Sequence, residues 1–206
     1  EHWHRSGQAL LNEISTTRLP ASQLAVWSSA SAFIFKYEGT VVCIDPVLSD
    51  LTGPSGSRRC YPAPFAPETL RADLVLCTHG HADHMAKDTL RGLARHPAAR
   101  FVLPPVLALA AEYGIPADRI TTVQEGSILP LGGITVRAFS AAHPEHILDA
   151  GDPGMALGYQ LTFGDFTVVH LGDTYLTPIC TKRCRRSPPR LLLAPITAGL
   201  LRTSAT

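Results

Sequence analysis

A layered α/β fold, with helices packed outside β-sheets, is the class this sequence predicts, and three observations predict it. Short apolar runs rich in Val, Ile, Phe and Leu recur at strand length, separated by polar or glycine-bearing turns. Two segments with helical spacing of Leu and Ala lie among them. The 206 residues are 45% hydrophobic and 17% charged, the balance of a globular chain rather than a disordered or membrane-spanning one.

The elements follow in order. Leu24 to Trp27, Ala32 to Lys36 and Thr40 to Asp45 read as strands, with Glu38-Gly39 as the turn between the last two. Asp73 to Thr78 has the continuous apolar pattern of a buried strand and runs into a histidine-rich loop. Lys87 to His96 reads as a helix with Leu90, Leu93 and Ala94 on one face. Phe101 to Leu103 is a strand, and Pro105 to Tyr113 is a helix with Pro near its start and Gly114 just past its end. Further strands are expected at Arg119 to Val123, Ile134 to Phe139, Leu157 to Phe163 and Phe166 to His170, with Gly164-Asp165 joining the last two as a hairpin. Leu191 to Ala194 is another apolar run.

Charge narrows the function classes. All 17 acidic residues lie at or before Asp173, together with 12 of the 18 basic ones. The last 33 residues hold the other six basic residues and no acid. An acidic body disfavours a nucleic-acid groove, which needs clustered Lys and Arg. The longest apolar stretches, such as Phe101 to Ala111, are broken by Pro104 and Pro105 and fall short of the roughly 20 residues a membrane helix requires. With no secretory signal pattern, a cytoplasmic protein is expected, with a small-molecule substrate and neither nucleic acid nor membrane as partner. Cys43 and Cys77 sit in apolar runs and should pack as small hydrophobes. Cys180-x-x-x-Cys184 lacks the second pair that a structural zinc site needs, and Cys60 leaves an odd number.

The chemistry concentrates in Thr78-His79-Gly80-His81-Ala82-Asp83-His84, directly after a buried strand. Three histidines and a carboxylate within six residues, without cysteine, suit Zn(II), Mn(II) or Fe(II). The alternation of His79 and His81 lets both reach one ion, and Asp83 and His84 can then reach a second beside it. Two later segments offer completing ligands just past strand ends: Ala141-Ala142-His143-Pro144-Glu145-His146 and His170-Leu171-Gly172-Asp173-Thr174.

On these residues the chain resembles the metallo-β-lactamase-fold hydrolases, whose pattern is an H-x-H-x-D-H loop, a later His, a bridging Asp and a final His. The resemblance covers about residues 23–174. It implies an αββα sandwich with two divalent ions, most simply Zn or Mn. His79, His81 and His143 then match the first-metal ligands, Asp83 and His84 the second, and Asp173 the bridge. Asp45 matches the acid that supports the ligands from behind. Within the superfamily the chain most resembles the L-ascorbate-6-phosphate lactonases, through Gly7 to Ile14, Leu24-Ala25-Val26-Trp27, the Glu38-Gly39-Thr40 to Asp45 strand, Leu157-Gly158-Tyr159 and the His170-x-Gly172-Asp173-Thr174 motif. Three features depart from that pattern: Ser29 replaces a common Gly, His143 stands where the ascorbate-specific enzymes carry Asp, and no histidine follows His170.

The implied activity is hydrolysis of a sugar-acid lactone by hydroxide held between two metals, with Asp83 orienting it and passing a proton to the leaving alkoxide. Arg58 and Arg59 could hold a sugar phosphate, although a solvated loop pair is the simpler reading. A phosphodiesterase or thioesterase on the same scaffold is the alternative, and an inactive metal-binding paralogue the third reading.

The domain organisation expected is one domain, with an extension at 1–22, a metal-binding core at 23–178 and an atypical tail at 179–206. The family pattern leads one to expect an amphipathic helix after Pro178, but Ile179 to Pro188 reads ICTKRCRRSP and carries no apolar stripe. One codon choice for that segment, read two bases later, spells Leu-Tyr-Glu-Ala-Leu-Gln-Ala-Leu-Pro. A frame error that also removed the C-terminus is therefore the expectation, with a naturally short paralogue as the alternative. The chain also opens on Glu1 rather than Met, consistent with an incomplete N-terminus. A sheet face left uncovered by such truncation would invite pairing, so a homo-oligomer stays open.

Overall fold

The structure, a computed structural model, describes residues 5–29, 31–51, 61–143, 156–174 and 189–194. Two sheets lie face to face. The first runs β1 (Ala25–Ser29), β2 (Ala32–Tyr37), β3 (Thr40–Ile44), β4 (Leu74–Leu76), β5 (Arg100–Leu103), β6 (Ile120–Thr122) in spatial order. Its first three strands form an antiparallel meander, and β3 to β6 are parallel. The second sheet joins β7 (Ile128–Leu131), β8 (Ile134–Ser140), β9 (Leu157–Phe163) and β10 (Phe166–His170) in antiparallel order. It ends on β11 (Leu191–Leu193), which is parallel to β10.

Side-chain alternation divides the apolar residues between two cores. From the first sheet, Phe35, Val42, Ile44, Leu76 and Val102 point toward the second, where they meet Val136, Tyr159, Leu161 and Phe163. Their neighbours one residue away, including Ile34, Val41, Cys43, Val75 and Phe101, face the helices. Those helices are α1 (Gly7–Thr16), α2 (Lys87–Leu93) and α3 (Leu107–Glu112), and they contribute Leu10, Ile14, Leu90, Leu93 and Ala110 to that core. The expected two-sheet α/β sandwich is therefore present. Among the described residues all three α-helices pack against the first sheet, and Phe139, Val169 and Leu171 form a separate small cluster. Cys43 and Cys77 are buried free thiols, as their apolar settings suggest; burial pushes Cys43 up to about 12.

Several elements differ from the sequence expectation for identifiable reasons. Within the expected extension at 1–22, α1 is a ten-residue helix whose apolar face is little more than Leu10 and Ile14. It is tied down from outside: Glu13 Oε1 accepts from Trp27 Nε1 at 3.1 Å. Lys36 Nζ, on a residue only 4% exposed, donates to the Ile14 and Ser15 carbonyls at 2.6 and 2.8 Å. The helix has no basic residue in its own last turn, so Lys36 supplies the cation its C-terminus favours. Strand β7 contains Pro130, which hides it from a pattern search; its place at the sheet edge tolerates the missing donor. Helix α2 stops at Leu93, because Arg95 and His96 donate to Gly92 and Leu93 in a tightened last turn. The segment 179–188 of the tail lies outside the described residues, whereas the apolar run after it does form β11. No helix among the described residues is long and apolar enough to cross a membrane.

A tight helix contact yields a stability prediction. A Cβ on Gly92 of α2 would stand 2.6 Å from Pro67 Cβ and 3.0 Å from the Glu68 backbone nitrogen. Gly92→Ala should therefore cost about 1–3 kcal/mol in denaturant unfolding, despite alanine's better helix propensity.

Candidate metal centre

The site forms where strands of both sheets end. Asp45 follows β3, Thr78 to His84 follow β4, His143 follows β8, and Asp173 follows β10. The two sheets meet here through backbone contacts: Leu157 N donates to the Thr78 carbonyl at 2.9 Å, and His79 bridges Ala156. Thr174 Oγ1 accepts from the Ala142 amide at 2.8 Å, joining the loop of His143 to that of Asp173. Gly172 has φ of +64°, and a Cβ there would lie 2.5 Å from the Leu157 carbonyl oxygen, so the turn that aims Asp173 requires glycine. The same turn donates its Gly172 amide to His170 Nδ1 at 3.2 Å.

Asp45 organises the base of the site. It is fully buried and sits in the left-handed region at φ +47°, a conformation uncommon outside functional positions. Its Oδ1 accepts from the Thr78 amide at 2.7 Å. Its Oδ2 accepts from Thr78 Oγ1 at 2.7 Å and from His84 Nδ1 at 2.9 Å. That use of the Thr78 amide is also why β4 stops at Leu76, short of the expected Thr78. Burial would raise the Asp45 carboxyl; the His84 hydrogen bond, the neighbouring imidazoles and the Thr78 amide together hold it below the ordinary range.

Above Asp45 the imidazoles crowd together. The His79 ring centroid lies 4.6 Å from that of His81, 4.3 Å from that of His84 and 4.9 Å from that of His143. His79 Nε2 and His81 Nδ1 are 3.1 Å apart. Burial, and then the positive His84, pull His79 down to about 3. Burial alone would also lower His84, but its hydrogen bonds to Asp173 and Asp45 raise it to about 10. The contact to Asp173 Oδ1 is 3.3 Å, and it holds the Asp173 carboxyl low.

Two sets of ligand atoms converge within 4.8 Å: His79 with His81 and His143, and His79 with His84 and Asp173. The donors are nitrogen and carboxylate oxygen with no thiolate, a set that fits Zn(II), Mn(II) or Fe(II). Five of the six expected metal-site residues are thus brought together. The sixth, Asp83, is in neither set; its side chain is 71% exposed, with Oδ2 3.9 Å from His84 Nε2. Its backbone is pinned by Ser31, whose hydroxyl donates to the Asp83 carbonyl at 2.7 Å. Arg58, Arg59, Glu145 and His146 lie outside the described residues. Residue spacing alone gives no role to Thr78, Ser31 or His170; only adjacency to the motif residues marks the first and last. His79 offers one nitrogen to whichever set it serves, so His79→Ala should lower bound divalent metal per chain, measured by elemental mass spectrometry.

Comparison with known proteins agrees with this geometry. The beta-lactamase superfamily domain profile matches residues 25–205. A UPF0173 protein of Pyrococcus abyssi is 32% identical over 174 residues, covering 83% of this chain and 69% of that one. A UPF0173 metal-dependent hydrolase of Methanopyrus kandleri is 27% identical, covering 82% of this chain and 70% of its own length. Among solved structures, Igni18, a metallo hydrolase of Ignicoccus hospitalis, superposes with a TM-score of 0.61 at 22% identity, over 85% of this chain and 71% of that one. With two converging His/Asp sets on a two-sheet sandwich and matches of this extent, the chain belongs to the UPF0173 metal-dependent hydrolase family of the metallo-β-lactamase superfamily.

Proposed function

We propose that this metal-dependent hydrolase uses two divalent ions, Zn or Mn, to open the lactone of a small sugar acid of the L-ascorbate 6-phosphate type. The observation that carries the reading is the pair of ligand sets sharing His79, with the exposed Asp83 carboxylate beside them. The Leu157-Gly158-Tyr159 and His170-Leu171-Gly172-Asp173-Thr174 segments support the lactonase branch by their resemblance.

A divalent cation in such a donor set supplies Lewis acidity and lowers the pKa of water toward about 7. His79, His81 and His143 would hold one ion, and His84 and Asp173 the other. Asp83 is the exposed carboxylate beside the two sets. It accepts the proton released as water adds to the lactone carbonyl, and returns it to the ring oxygen when the C–O bond breaks. The sum is one water added across the ester, leaving an alcohol and a carboxylic acid, which ionises at neutral pH by releasing its proton to solvent. The ligands themselves stay fixed, because Asp45 and the Gly172 turn hold them from below.

A second reading has its own observation. His143 completes a three-imidazole set where the ascorbate-specific enzymes carry a carboxylate, which keeps phosphodiester or thioester hydrolysis in view. Turnover of L-ascorbate 6-phosphate and simple lactones should be compared with bis-p-nitrophenyl phosphate and an acyl thioester on metal-loaded protein. Lactone opening that falls by roughly 10²–10⁴ in Asp83→Asn is the expected result. Cleavage of the phosphodiester or thioester alone would replace the lactonase reading, and metal binding without any turnover would leave a metal-binding protein.

A further inference from the structure

We infer that Thr78 is a positioning residue that fixes the tautomer of His79, so that one buried carboxylate, Asp45, sets the ring orientation of histidines in both ligand sets. The inference rests on reading the site as a metal centre. It follows from counting protons. The Thr78 hydroxyl has a single hydrogen and lies 2.7 Å from Asp45 Oδ2, an atom that can only accept. Its hydrogen therefore goes to Asp45. At 3.0 Å from the same hydroxyl oxygen stands His79 Nδ1. Two acceptors cannot face each other at that distance, so Nδ1 must carry the proton and donate it to Thr78. The remaining nitrogen, Nε2, sits 3.1 Å from His81 Nδ1 and is the atom His79 offers to a cation.

The second histidine is set directly. His84 Nδ1 donates to Asp45 Oδ2, which leaves His84 Nε2 facing Asp173. Asp45 thus determines which nitrogen is presented by His84 through one hydrogen bond and by His79 through two. Thr78 is the relay for the histidine common to both sets. Orienting partners of this kind are commonly worth 10–100-fold in metal affinity.

Thr78 also has a packing role from which the relay must be separated. A Cβ placed on Gly172 would lie 3.3 Å from both Thr78 Cβ and Thr78 Cγ2, so the methyl group abuts the turn that carries Asp173. The two functions belong to different atoms. Thr78→Val keeps the methyl and removes the relay; Thr78→Ser keeps the relay and removes the methyl.

The test uses the whole chain, labelled with ¹⁵N-histidine, and reads ring tautomers by long-range proton–nitrogen correlation in chelated protein and Co(II) affinity by chelator competition. Wild type and Thr78→Ser should show His79 protonated at Nδ1, with affinities within a few-fold of each other. Thr78→Val should lose that single tautomer and bind Co(II) about 10–100-fold more weakly, while the His84 signals stay unchanged. Unchanged His79 signals and affinity in Thr78→Val would overturn the relay. So would a Thr78→Ser variant weakened as much as Thr78→Val, which would assign the effect to packing. A wild-type chain that binds no Co(II) would instead overturn the metal-centre reading beneath it.

Discussion

The interaction on which the candidate site depends is the burial of one carboxylate, Asp45, with its acceptor capacity directed at a backbone amide, a hydroxyl and an imidazole. A lone carboxylate with no solvent contact is costly, and this one is offset by three donors and by histidines close enough to share charge with it. Losing any one donor would leave a buried charge underpaired. The left-handed backbone at Asp45 belongs to the same arrangement, because it turns the side chain under Thr78 instead of along β3.

The sandwich gives that carboxylate something to organise. Strands β3 and β4 are parallel, so their C-terminal ends open onto the same edge, and Asp45 and Thr78 meet although 33 residues separate them. The second sheet brings His143 and Asp173 to this edge from two further strand ends. The two halves are stitched by backbone bonds and by Thr174, so the separation of the ligand sets is fixed by ladders and not by side-chain packing alone.

Much of this was legible in the sequence because the strands are short, apolar and bounded by turns, and because the histidine loop is dense in ligands. The second-sheet hairpin at Gly164 and the site positions of His143 and Asp173 followed from the same pattern. What stayed hidden was long-range. Helix α1 has a sparse apolar face and a terminus completed by a residue of β2. Strand β7 is masked by Pro130. Thr78 carries no signal of its relay, since its partner is in another strand and any Thr before a histidine looks the same. Asp83 shows the converse: its place in the motif is plain, but its exposure depends on how the loop closes, which no spacing rule specifies.

The cation that Lys36 places under the end of α1 has a consequence for the order in which the chain is made. A ten-residue helix with a thin apolar face is marginal on its own in water. Here its last carbonyls find their donor, Lys36, on a strand 21 and 22 residues further along. During synthesis α1 leaves the ribosome before β2, and its last carbonyls have no cation beneath them until β2 follows. The helix is thus an early segment with a late structure, and the sheet rather than the N-terminal residues dictates when it forms.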